Sequence, residues 1–306
     1  MTGEQENIEY KVRATSKSDL GWKEKRNALL LVSPGKEEFI DPDKFGAIVD
    51  WITNQDNFDA ITFFVGGYSE RFNISAKGGY SPKAAQSMAL DAEAGWKSRM
   101  LPIASNIVRQ SRASNVVSSY DVVLDGIPKI RYPYADISKA FDEYYNSDNS
   151  TLLRKAIHAD SEAFSNRQRS TSRDDSISKT FKEWSENNEY PYLIEELKIF
   201  IFMAKNYNGK DTARIYPGPD LLSTKVLKGL APFNDGITAN IPKALQGLKE
   251  SPRVALKLNS KKSSKQESPT IEDNSRSTDS SRIITSNNSA TSFHSLFSFM
   301  SPLRYS

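Results

Sequence analysis

The chain has 306 residues, 38% of them hydrophobic and 10% aromatic, enough to bury one sizeable core. It holds no cysteine and two histidines, His158 and His294, far apart in sequence. Disulfides, thiolate catalysis, sulfur-bound zinc and a histidine-rich metal centre are thereby excluded. The formal charge is +3, but residues 251–306 carry eight Lys/Arg against four Asp/Glu, which leaves residues 1–250 at −1 with no broad basic surface.

No apolar run approaches a bilayer span, and the opening MTGEQENIEYK lacks a signal-peptide core, so a cytoplasmic protein with no membrane partner is expected. Residues 1–21 read as a flexible N-terminus and 22–250 as one ordered domain. Asn27–Val32 is a short apolar run closed by Ser33-Pro34-Gly35, which suits a buried parallel strand ending in a sharp turn. Helical spacing follows through Phe39, Phe45, Ile48, Val49 and Ile52. A second buried strand, Ala60–Val65, stops at Gly66-Gly67. Pro82 opens a helix that Pro102 should kink or end. Val116–Leu124 reads as a third strand, 137–164 as helix and 165–179 as a polar surface loop. Pro191–Lys205 is a further helix and Ala213–Tyr216 a fourth strand. Ser fills 16 of the 56 positions in 251–306, and this segment reads as a disordered tail with a late apolar cluster around Phe293 and Phe297. The alternation predicts an α/β fold: a mostly parallel sheet with helices on both faces and a site at the strand ends.

Three positions could carry chemistry. Ser33 ends a strand where backbone N–H groups gather, which suits a nucleophile with an oxyanion hole and equally a serine opening a turn. His158, the one histidine in the ordered region, falls on a helix, as structural histidines often do, so a serine-hydrolase triad has weak support. In the segment YPYLIEELKIFIFM, Tyr192, Glu196, Ile199 and Met203 fall at roughly 0°, 40°, 340° and 20° on a helical wheel. A carboxylate and a phenol thus share an apolar stripe. Either they form a pair at the helix edge, or the carboxylate meets a cation such as a bound α-ammonium, because unpaired burial is costly. Glu195 is the alternative carboxylate. Tyr216, ending the fourth strand ahead of Pro217, is the third position.

The strand-end Ser33, the Tyr192-x-x-x-Glu196 helix and Tyr216, in this order over about residues 25–230, resemble the cyclodipeptide synthases. The resemblance implies a Rossmann-like fold similar to the catalytic domain of class I tyrosyl- and tryptophanyl-tRNA synthetases. It implies that Ser33 becomes aminoacylated, that Tyr192 and Glu196 hold the first amino group, and that Tyr216 assists proton transfer. It further implies a ping-pong route: the second aminoacyl-tRNA supplies its amine to the Ser33 ester, and a dipeptidyl-enzyme cyclises. No ATP, metal or other cofactor is implied, because an aminoacyl-tRNA is already an activated ester. Lys36, three residues after the serine, and Pro217 resemble the branch with Pro after the last tyrosine. Leu31 stands where that family commonly has Gly. The first pocket would be lined by Leu29, Leu31, Ile61, Phe63 and Ile199, which implies a small hydrophobic amino acid. A tRNA footprint would involve Lys83, Lys97, Arg109 and Arg112, although Asp91 and Glu93 dilute that helix's charge. The Pro-containing branch with a Ser/Asn-rich tail is similar to the yeast synthases that make cyclo(Leu-Leu) for the pulcherrimin pigment, which implies leucyl-tRNA as partner. A non-catalytic RNA-binding or regulatory relative and a serine hydrolase are the competing expectations.

Overall fold

The computed structural model describes residues 8–15, 21–108, 113–127, 130–171, 183, 190–207, 212–218 and 220–262. Its centre is the apolar run read from the sequence: β2 (Arg26–Val32) lies between β3 (Phe58–Val65) and β5 (Thr212–Pro217), parallel to both. Beyond β3 lies β4 (Ala113–Ser118), also parallel. On the other side β5 pairs with β6 (Arg253–Lys262), and β6 pairs antiparallel with β1 (Ile8–Ala14), giving the order β1-β6-β5-β2-β3-β4. The sheet is therefore mixed but mostly parallel, and Rossmann-like.

Helices cover both faces. After β2 come α1 (Glu37–Ile40) and α2 (Pro42–Thr53); Asp41 caps α2 by accepting from the N–H groups of Asp43 and Lys44 at 2.9 and 3.1 Å. After β3 come α3 (Glu70–Gly78) and α4 (Pro82–Ile107), the latter capped by Ser81. There follow α5 (Ser119–Val123), α6 (Tyr134–Tyr145), α7 (Thr151–Thr171), α8 (Pro191–Asn206) and α9 (Leu222–Leu227). One core, with Phe45, Ile48, Ile61, Phe63 and Trp96, fills the face under α2 and α4. The other, with Leu29, Leu31, Phe64, Phe141, Leu197 and Ile199, fills the face under α6, α7 and α8.

Several expectations are corrected. The boundaries at 22 and 250 are too narrow, because β1 precedes the first and β6 follows the second; the tail beyond 262, including the Phe293 cluster, lies outside the described residues. The expected third strand is a strand only to Ser118. There the serine hydroxyl accepts from the Tyr120 N–H at 3.1 Å and starts α5. The helix expected over 137–164 is two helices, broken where Ser150 Oγ donates to the Tyr145 and Ser147 carbonyls at 2.6 and 2.8 Å. The 165–179 loop begins as helix, since α7 runs to Thr171. Pro102 does not end α4. Pro102 and Ser98 are both exposed, so the carbonyl deprived of its helical donor faces water.

Candidate active site

The carboxyl edge of the sheet gathers the chemistry. β2 runs into Ser33, whose carbonyl accepts from the Lys36 N–H at 3.0 Å, while the Val32 carbonyl accepts from Gly66 at 2.8 Å. The chain thus turns at the strand end and is tied to the end of β3. Ser33 is half-buried and its hydroxyl has no hydrogen-bond partner among the described residues. Pro34 has no N–H and that of Lys36 is used, so the Gly35 N–H is the donor this turn leaves for an oxyanion.

On α8, Ile199 and Met203 enter the core and Tyr192 stacks on Phe164, ring centroids 6.0 Å apart at 16°. The Tyr192 phenol hydrogen-bonds Glu70 at the start of α3; burial, and then the Glu196 carboxylate, push its pKa well up. Glu196 itself is raised to about 8, first by burial and then by Glu70, with Arg253 opposing. The Tyr216 phenol is raised by burial and by Glu196, again with Arg253 opposing. These mutual influences bring Tyr192, Glu196, Tyr216 and Glu70 into one cluster under the helix. Glu195 is no substitute for Glu196. Its Oε1 accepts from Ser69 Oγ at 2.8 Å and Arg71 Nη1 at 2.6 Å, and its Oε2 from Arg71 Nη2, an ion pair that fastens α3 to α8.

Lys36 and Pro217, remote in sequence, touch: Lys36 Nζ donates to the Pro217 carbonyl and lies 4.4 Å from the Tyr216 ring centroid. Arg253 holds the next peptide, donating to the Gly218 carbonyl at 2.9 Å, with its guanidinium 5.8 Å from the same ring. Gly218 has φ +125°, which favours glycine here. Two cations thus fix the Tyr216-Pro217-Gly218 turn. Arg253 also pairs with Asp220 at 3.0 Å, and Asp220 with Lys228 at 2.5 Å. Burial opposes ionisation of Asp220, but Lys228 and Arg253 hold its pKa below the ordinary value.

The pocket expectation is half corrected. Leu29, Leu31 and Ile199 share the α8 face, whereas Ile61 and Phe63 belong to the opposite core. The register pairs Leu29 with Thr62 and Leu31 with Phe64, so the strand pleat turns Ile61 and Phe63 away. In the expected tRNA footprint, Lys83 is exposed, but Lys97 pairs at 2.7 Å with the buried Glu93. Arg109 and Arg112 lie outside the described residues. Ser118 also donates to Glu93, and a Cβ on Gly67 would fall 2.8 Å from Glu93 Cβ, so glycine is required by close approach. His158 Nδ1 meets the Tyr190 hydroxyl at 2.5 Å, which occupies the nitrogen a triad would need free or acid-paired. Sequence reasoning missed Glu70 and Arg253. Glu70 follows the Gly66-Gly67 strand end, the same signal that singled out Ser33; Arg253 lay in the segment read as tail.

This Rossmann-like α/β architecture aligns with solved structures of cyclodipeptide synthases. The structure of a synthase from Fluoribacter dumoffii aligns with a TM-score of 0.59 and 17% identity, covering 84% of this chain and all of that one. A cyclo(L-leucyl-L-phenylalanyl) synthase aligns at 0.51 and 13%, covering 83% and 99%. A Mycobacterium tuberculosis protein, described as demonstrating that cyclodipeptide synthetases are related to type I tRNA synthetases, aligns at 0.53 and 12%, covering 81% and 92%. No family model and no curated protein matches the sequence. At these identities the likeness establishes the fold.

Proposed function

We propose that the chain is a tRNA-dependent cyclodipeptide synthase that forms a diketopiperazine, cyclo(Leu-Leu), from two leucyl-tRNAs. The observation that carries this is the convergence at one sheet edge of the Ser33 turn, Tyr192 and Glu196 of α8, and Tyr216 gripped by Lys36 from the Ser33 turn itself.

Ser33 Oγ attacks the ester carbon of the first aminoacyl-tRNA, its proton passing to the departing ribose oxygen, and the Gly35 N–H stabilises the oxyanion. The aminoacyl-Ser33 ammonium lies against Glu196 and Tyr192. An α-ammonium loses its proton near pH 7.7–8.0, and Glu196 at about 8 is matched to receive it. The expected direction, with the second aminoacyl-tRNA supplying its amine to the Ser33 ester, is corrected here, because it would discharge Ser33 and leave the dipeptide on tRNA. A dipeptidyl-enzyme forms when the freed amine of aminoacyl-Ser33 attacks the second aminoacyl-tRNA ester and free tRNA departs. The new terminal amine then attacks the Ser33 ester, closing the ring and returning the hydroxyl. Tyr216, whose phenol is held protonated by burial, relays protons rather than acting as a base. Leu29, Leu31 and Ile199, apolar and buried, favour a side chain such as leucine; the pairing of Lys36 with Pro217 accords with the pulcherrimin-type branch.

Intact-mass measurement after mixing with leucyl-tRNA tests the reading. The wild type gains one leucyl group and releases cyclic dipeptide, and Ser33→Ala does neither while keeping its thermal unfolding transition. Cyclic dipeptide from Ser33→Ala at the wild-type rate would refute it.

A further inference from the structure

The sheet does not end where its catalytic edge ends. β5 stops at Pro217 opposite Leu256, but β6 continues to Lys262, and this extension pairs along its length with β1, Ile8 opposite Lys262 and Ala14 opposite Leu256. Six residues at about 3.3 Å each carry this two-stranded arm roughly 20 Å past the end of β5, on the side where Tyr216 sits. One face of the arm is held down: Val12, Val254 and Leu256 join the core under α2, and Lys44 of α2 lies 5.4 Å from the Tyr10 ring centroid.

The other face is open. Register places Arg253 beside Arg214, and hence Ala255 beside Tyr216 and Lys257 beyond it, all on the face of the active site. Arg13 is opposite Lys257 and Lys11 opposite Asn259, so these residues share that face. Lys11, Arg13 and Lys257 are exposed and form no ion pair among the described residues. Glu9, at the far end, is the one acidic residue on this face among the described residues. Charged side chains also guard edge strands against pairing with other chains. That role is open to both strands of the arm, since beyond Leu256 β6 is paired with β1 alone among the described residues, but it does not require the three cations to share the face that carries Arg253 and Tyr216.

We propose that this face, through Lys11, Arg13 and Lys257, bears the sugar-phosphate backbone of the tRNA acceptor arm, with the charge line running inward to Arg253 at the reaction centre. The proposal rests on the reading of the chain as an enzyme that uses aminoacyl-tRNA. Exposed cations without ion pairs, set along a two-stranded ribbon, match a phosphate backbone, and such contacts position a duplex without reading its sequence. This footprint lies on the opposite sheet face from α4, whose Lys97 is committed to Glu93.

The test is leucyl-tRNA affinity against salt concentration for the full chain and two triple variants, with the Ser33 adduct measured in parallel. Lys11→Glu, Arg13→Glu and Lys257→Glu together are expected to weaken binding at least about tenfold and to flatten the log–log salt slope by about 3. The charge-keeping triple Lys11→Arg, Arg13→Lys and Lys257→Arg is expected to bind like the wild type. If the reversed triple, folded by its thermal transition, binds with unchanged affinity and slope while the wild type forms its adduct, the surface assignment is overturned and the synthase reading stands. If the wild type neither binds leucyl-tRNA nor forms an adduct, both are overturned.

Discussion

At the scale of single residues, Glu196 sets a condition on pH. A glutamate with an ordinary pKa of 4.5 titrates at about 8 here, because burial and the neighbouring Glu70 both oppose its charge. Between these values the folded chain holds one proton that the unfolded chain has lost. Stability therefore falls as pH rises through this window and levels off above about 8. The expected loss from pH 5 to pH 8.5 is on the order of a few kcal/mol in the wild type, and Glu196→Gln should lack that component while losing turnover. Urea denaturation midpoints at the two pH values measure it. An equal decline in both proteins would mean that Glu196 titrates normally. The stabilising direction is informative: a glutamine that improves the fold and removes activity marks a carboxylate kept for chemistry.

At the scale of elements, the apolar runs that became β2 and β3 were legible because strands buried on both faces are almost continuously hydrophobic. β1 and β6 were not, because only one face of each is buried. In RVALKLNSKK the inward Val254, Leu256 and Leu258 alternate with Ala255, Lys257 and Asn259, and the Ser-rich composition around them masked a period of two. The same misreading hid Arg253 and so part of the site, whereas Tyr192 and Glu196 were legible because helical spacing ties them to Ile199 and Met203. A disordered tail over 251–306, as the composition suggested, would be dispensable, but β6 lies within it. Truncation after Glu250 removes an interior strand, bares the edge of β5 and leaves β1 without its partner, so the product should be insoluble or lack a cooperative unfolding transition. Truncation after Ser263 keeps all six strands and should melt within a few degrees of the full chain. Circular dichroism melts of both variants check this, and a cooperative transition in the shorter one would show β6 to be dispensable.

Across the whole molecule the sheet divides labour between its faces, and the division follows from the pleat. Ser33 and Tyr216 end strands whose Leu29, Leu31 and Arg214 point toward α8, while Ile61 and Phe63, though equally apolar and adjacent in the sheet, point toward α2 and α4. Strand positions were legible in the sequence; which alternate residues shared the serine's face was not, because it depends on a register that the apolar run AITFFV, hydrophobic on both sides, leaves open. Leu31→Ala and Ile61→Ala test the division, since each removes a similar volume from a buried site, 7% and 0% exposed. Both should cost about 2–5 kcal/mol of stability. Leu31 lies two residues before Ser33 on the α8 face, so under the proposed function its truncation should also enlarge the space beside a Ser33 ester and admit bulkier amino acids, read by mass spectrometry of cyclic dipeptides formed from mixed aminoacyl-tRNAs. Ile61→Ala, held at a temperature where it is folded, should give the wild-type product ratio. A product shift from Ile61→Ala with none from Leu31→Ala would move the amino-acid pocket to the α2 and α4 face, and the roles given to Tyr192 and Glu196 would go with it.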